Sequence, residues 1–195
     1  MKRARLIVYG GSIPAGRGVL RPYPGILKQR LMPLGIEVID RSREGATSFA
    51  GVENYAERVA PHCPAILILH FGIDDAFSGV YRSEFKENLV RMVRLAKEDS
   101  RLPVFLCTSH FFPDAQEREA AEIVYRAMRE VAADLRCFLV PVHLFWESFL
   151  LESGMENPDL LQADTRYPNE KGHEVYAEAI WRALITVKKL KMEAV

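Results

Sequence analysis

Ser12 follows a short apolar run and two glycines, in Leu6-Ile-Val-Tyr-Gly-Gly-Ser12. A serine presented just past the end of a strand is placed for nucleophilic attack, but its hydroxyl is a weak nucleophile until a neighbouring base takes the proton. Other residues able to do chemistry sit in four further short stretches. These are Asp40-Arg-Ser-Arg-Glu-Gly45, His70-Phe-Gly-Ile-Asp74-Asp75, Thr108-Ser-His110 and Asp164-Thr-Arg-Tyr167-Pro-Asn169. His110, at the same edge as Ser12, and His173, one turn into a last helix, are the histidines open to a role as base; His70 is read as packing at a strand end. Asp74, Asp75 and Asp164 offer oxygen ligands to a hard cation, but their spacing matches no metal motif, so neither metal nor cofactor is expected. Arg17, Arg41, Arg43 and Arg166 either receive an anionic ligand or neutralise the aspartates. Tyr9, Phe71, Phe77, Phe111, Phe112 and Tyr167 divide between pocket and core.

The elements that position these residues are legible from periodicity. Strand-length apolar runs rich in β-branched residues occur at Leu6–Tyr9, Ile36–Ile39, Ala65–Leu69, Val104–Cys107 and Phe138–Val142. Between them, helical spacing predicts helices over Tyr23–Leu34, Val52–Ala60, Phe85–Ala96 and Ala120–Leu135, with a last one from about Asn169 to Leu190. Strands apolar on both faces, alternating with helices, predict one three-layer α/β/α domain over residues 1–195 with a five-stranded parallel, flavodoxin-like sheet. In such a fold ligands sit beyond the carboxyl ends of the strands, which is where the reactive stretches fall.

Composition narrows the partners. The chain has 195 residues, 26 basic and 26 acidic, and a formal net charge of zero. A balanced charge gives no long-range attraction to phosphate backbones or anionic lipid, so nucleic acid and membrane are not expected as partners, and a small-molecule ligand or acyl substrate is. Cys63, Cys107 and Cys137 form no CxxC pair, and the apolar run after the basic start is too short for a signal peptide, which together predict a cytoplasmic protein.

Four features occur in fixed order: a serine after a strand and a glycine pair, Gly45 after the second strand, Gly72-Ile-Asp-Asp75 after the third, and Asp164-x-x-x-Pro168-Asn169 before the last helix. As a set they resemble the sequence blocks of the SGNH (GDSL-like) hydrolases, which include esterases, lipases, thioesterases and carbohydrate deacetylases. The resemblance covers nearly the whole chain. It implies that Ser12 stands at the nucleophile position, that the N–H groups of Ser12 and Gly45 are oxyanion donors, and that Asp164 is the acid orienting the base.

Three positions depart from the pattern. Gly11 replaces an Asp, Asp74 replaces the Asn that supplies the third oxyanion donor, and Tyr167 replaces the catalytic His. A tyrosine with an ordinary pKa near 10 does not take the serine proton at neutral pH, and an ionised Asp74 opposes a developing oxyanion. Two functions follow: a divergent hydrolase acting on an ester, thioester or acetyl group through Ser12, or an inactive relative that binds a small ligand or partner protein in the former pocket. A third route would use Tyr167 itself as acid or base.

Overall fold

The computed structural model describes residues 4–98 and 102–193. Strands β1 (Ala4–Gly10), β2 (Ile36–Asp40), β3 (Ile66–His70), β4 (Val104–Cys107) and β5 (Phe138–Val140) form one sheet in the order β2-β1-β3-β4-β5, every pair parallel. Leu6, Ile7, Val8, Leu67, Ile68 and Leu106 are wholly buried, as strands covered on both faces require. The expected three-layer fold is therefore present.

The helices follow in chain order as α1 (Ser12–Ala15), α2 (Tyr23–Leu31), α3 (Ser48–Glu53), α4 (Tyr55–Arg58), α5 (Ile73–Phe77), α6 (Arg82–Lys97), α7 (Ala115–Asp134), α8 (Val142–Ser153), α9 (Asn157–Leu160) and α10 (Glu170–Glu193). α3, α5, α6 and α7 pack together on one face of the sheet, and α2, α8 and α10 on the other. α6 buries Phe85, Leu89, Met92, Val93 and Ala96, the stripe its spacing predicts. α7 starts earlier than its apolar pattern, because the Asp114 carboxylate accepts the Gln116 and Glu117 N–H groups at 2.9 Å each.

Other boundaries also differ from the sequence reading. β5 stops at Val140, not Val142, because Pro141 has no N–H to continue the ladder; the apolar residues beyond it, Val142–Ser153, turn into α8, a helix the sequence reading misses. The helix from Tyr23 ends at Leu31 and tightens into a 3₁₀ turn over Met32–Leu34 around Pro33. The helix expected from Val52 begins at Ser48 and breaks at Asn54.

Candidate active site

The chain runs from β1 to β2 on one side, then crosses back so that β3, β4 and β5 extend the sheet on the other. The switch lies between β1 and β3, the place where ligands bind in open parallel sheets. Ser12 leaves β1 there and Asp74 leaves β3, the two loops being tied by a Gly11 N–H to His70 carbonyl bond of 3.1 Å.

Ser12 is the first residue of α1 and is wholly buried. Its hydroxyl donates to Asp74 Oδ1 at 2.6 Å and its N–H to Asp74 Oδ2 at 2.7 Å, so one carboxylate takes up both donors of the serine. Burial pushes the Asp74 carboxyl above its ordinary range, while the two Ser12 hydrogen bonds pull it back by favouring the ionised form. The Gly45 N–H donates to Ser12 Oγ at 2.9 Å. Gly45 adopts a φ of 71°, a left-handed conformation that turns this amide toward the serine with little strain only in glycine.

The loop carrying Gly45 is anchored from below. Asp75, also wholly buried, accepts the Ser48 N–H at 2.9 Å and the Ser48 hydroxyl at 2.6 Å, and Asn88 Nδ2 donates to Ser48 Oγ at 3.0 Å. Consecutive aspartates thus face different serines: Asp74 holds Ser12 and Asp75 holds the start of α3. The sequence treats Asp75 as a cap or loop residue and gives no sign of its partner, which lies 27 positions away.

Tyr167 sits nearby, 8% exposed, with the Arg17 guanidinium 4.7 Å and the Arg166 guanidinium 5.8 Å from its ring centroid. Burial first, and then the Asp74 charge, push its phenol above the usual value, so it is a proton donor and not a base at neutral pH. Arg166 outweighs neither. Asp164 is not aimed at residue 167: its carboxylate grips Arg166 in a two-pronged pair, Nε–Oδ1 at 2.8 Å and Nη2–Oδ2 at 2.6 Å, which holds the acid below its ordinary range. Arg17 pairs with Glu44 at 3.1 Å.

Among the described residues, no histidine is a hydrogen-bond partner of Ser12. His110 faces the Thr165 carbonyl through Nε2 at 3.0 Å, so Nε2 carries the proton and Nδ1 accepts from the Tyr176 hydroxyl at 3.0 Å. His173 Nδ1 accepts the Tyr23 N–H at 3.2 Å. His70 Nδ1 meets the Tyr23 hydroxyl at 3.0 Å. Burial lowers the pKa of His70 and His173 to about 3 and of His110 to about 4, so all three are neutral members of an aromatic core with Tyr23 and Tyr176. Asp74, Asp75 and Asp164 each serve a different partner, and among the described residues no cluster of three or more His, Cys, Asp or Glu is arranged to hold a metal ion. Of the aromatics, Tyr9, Phe71 and Phe112 are core, whereas Phe77 and Phe111 are half-buried.

Residues 8–175 match the model of the GDSL-like lipase/acylhydrolase family. The chain belongs to that family. Among its relatives is the esterase TesA of Pseudomonas aeruginosa, 28% identical over 92% of this chain and 87% of that protein. An α/β hydrolase enzyme from the metagenome of Lake Arreo superposes with a TM-score of 0.81 at 22% identity, covering 92% of this chain and 94% of that one. An acetylxylan esterase from Geobacillus stearothermophilus gives 0.79 at 21%, covering 92% and 93%. Ser12 and the Gly45 turn meet at the β1–β3 switch, and the polar groups around them are bonded to each other. Gly11 is the signal the sequence reading undervalued. It is the spatial partner of Asp74, since a β-carbon on residue 11 would overlap Asp74 Oδ2.

Proposed function

We propose that this GDSL-family chain is a non-hydrolysing member, a binding protein built on the hydrolase fold. One observation carries the reading: the Asp74 carboxylate occupies the Ser12 N–H and hydroxyl at 2.7 and 2.6 Å. The Gly45 N–H is likewise spent on Ser12 Oγ. An oxyanion hole works when its donors are free for charge that develops in the transition state; here an internal anion already holds one and the serine oxygen the other. No imidazole base stands beside Ser12 among the described residues either, since His110 and His173 are engaged elsewhere and Tyr167 is protonated. Triad loss in a serine hydrolase leaves roughly 10³–10⁴-fold catalysis over water, and that residue depends on a working oxyanion hole. No helix among the described residues is long and apolar enough to cross a membrane. A cytoplasmic setting belongs to the same proposal, supported by free thiols at Cys63, Cys107 and Cys137.

The test is hydrolysis of p-nitrophenyl acetate and butyrate by wild type and Ser12→Ala at neutral pH. Equal rates at the buffer background are expected. A wild-type rate about 10²-fold or more above Ser12→Ala would instead establish a serine hydrolase with an unconventional base, Asp74 being the group in reach.

A further inference from the structure

A cleft of about 290 Å³ opens between α7 and α8, on the β4–β5 side of the sheet and away from the β1–β3 switch. That volume is at the lower end for ligand cavities, ~300–1,000 Å³, which limits the occupant to a small molecule. Arg118, Glu122, Tyr125 and Arg129 line it from α7 at intervals of four, three and four residues, one continuous helix face. His143 and Glu147 line it from α8, one turn apart.

The polar groups divide into satisfied and unsatisfied sets. Arg129 and Glu122 neutralise each other at 3.2 Å. Arg118 donates through Nη1 to the Phe112 and Pro113 carbonyls and lies over the Phe111 ring, with no carboxylate partner among the described residues. Glu147 has no cationic partner among them either. The cleft therefore presents one free positive and one free negative group. His143, 8% exposed, stacks on Tyr125 with centroids 4.6 Å apart and an interplanar angle of 25°. Its Nδ1 is 2.8 Å from the Thr108 hydroxyl. That hydroxyl has a single proton, and the other acceptor within its reach, the Ser109 carbonyl, is farther at 3.2 Å. With the proton on the shorter contact, His143 carries its own on Nε2, a donor without a partner among the described residues. Burial lowers the His143 pKa, so the ring adds a hydrogen-bond donor and no charge.

We propose that this cleft binds a small aromatic zwitterion of the size of an aromatic amino acid, its carboxylate on Arg118, its ammonium on Glu147 and its ring against the Tyr125–His143 stack. A ligand of either single charge would leave one of the two side chains desolvated and unpaired, which disfavours it against the zwitterion. The proposal is independent of the reading of Ser12.

Isothermal titration of the full chain with L-phenylalanine tests it, using 3-phenylpropionate and phenethylamine as single-charge probes. Saturable one-site binding of L-phenylalanine is expected, unchanged in Ser12→Ala and weakened at least about tenfold in both Arg118→Gln and Glu147→Gln. 3-Phenylpropionate should respond to Arg118→Gln alone and phenethylamine to Glu147→Gln alone, a split that general loosening of the cleft would not produce. Absence of saturable L-phenylalanine binding, or affinities unchanged in both variants, overturns the proposal.

Discussion

Asp74 fills the space into which a side chain on Gly11 would project: a β-carbon there would overlap Asp74 Oδ2 and come within 2.7 Å of the Ala46 carbonyl oxygen. The two positions are one structural unit. A carboxylate at 74 that reaches the Ser12 N–H requires the absence of a side chain at 11, so an Asp placed at 11 alone removes the room that Asp74 uses.

Gly11→Ala is accordingly expected to destabilise the fold by about 1–3 kcal/mol through overpacking. In an Asp74→Ala background the same change should cost less, leaving only the Ala46 contact, with a coupling of about 0.5 kcal/mol or more between the sites. Urea denaturation of the four proteins measures this, and strictly additive costs would show that the overlap relaxes without consequence.

A second expectation concerns recovery of chemistry. Asp74→Asn with Tyr167→His removes the internal anion and supplies an imidazole while leaving Gly11 untouched. This pair should raise p-nitrophenyl acetate hydrolysis about 10²-fold over wild type, the usual worth of a positioned base. Arg166→Gln added to it frees Asp164 from its two-pronged pair and should raise the rate again. If steady-state rates for both stay at background, the serine is shut off by something besides Asp74 and the missing imidazole.

The anchoring of the Gly45 loop predicts a stability effect. Asp75 is wholly buried and accepts both donors of Ser48. Ser48→Ala leaves a buried carboxylate short of a partner and Asn88 Nδ2 without its acceptor, for an expected loss of about 1–3 kcal/mol in chemical denaturation. A change within a few tenths of a kcal/mol would mean that water takes over the contacts.

The sheet was legible because its strands are apolar on both faces and separated by amphipathic helices; Leu67 and Ile68 carry that signal without help from tertiary context. α8 was not, because the apolar residues on either side of Pro141 read as one run and only the missing N–H divides strand from helix. At the site, the block order marked Ser12, Gly45 and Asp74 as neighbours. That an arginine neutralises one of the aspartates was one of two open readings, and Arg166 does so for Asp164; the direction of the Asp74 carboxylate was not readable, since it depends on which of several nearby donors lies within hydrogen-bond reach. Gly11 and Asp74 read as two separate departures in the sequence, and their steric coupling is visible only when the space between them is seen.

The buried histidines make acid stability the sharpest test of the core. His70 and His173 titrate at about 3 and His110 at about 4 in the fold, against 6.5 for an unperturbed imidazole. A depressed histidine pKa means that the unfolded chain binds the proton first, so the stabilisation is complete above 6.5 and is lost as pH falls toward the folded values. Each histidine contributes a slope of up to about 1.4 kcal/mol per pH unit well inside that window. Asp40, Asp74 and Asp75, whose carboxyls are raised from 3.8 by burial, act in the opposite sense: the fold holds their protons more tightly, which offsets part of the loss once pH falls into their own titration range. The decline is therefore expected to begin near pH 6.5 and to steepen below it as the unfolded imidazoles become fully protonated, until the carboxyls respond. Urea midpoints measured from pH 7.5 to 5 should fall steadily, and His110→Gln should shallow the slope by about one proton. A flat profile over that range would mean that the unfolded chain gains no more protons than the native state, and hence that the three imidazoles are not held neutral as their burial among Tyr23, Tyr176 and Trp146 requires.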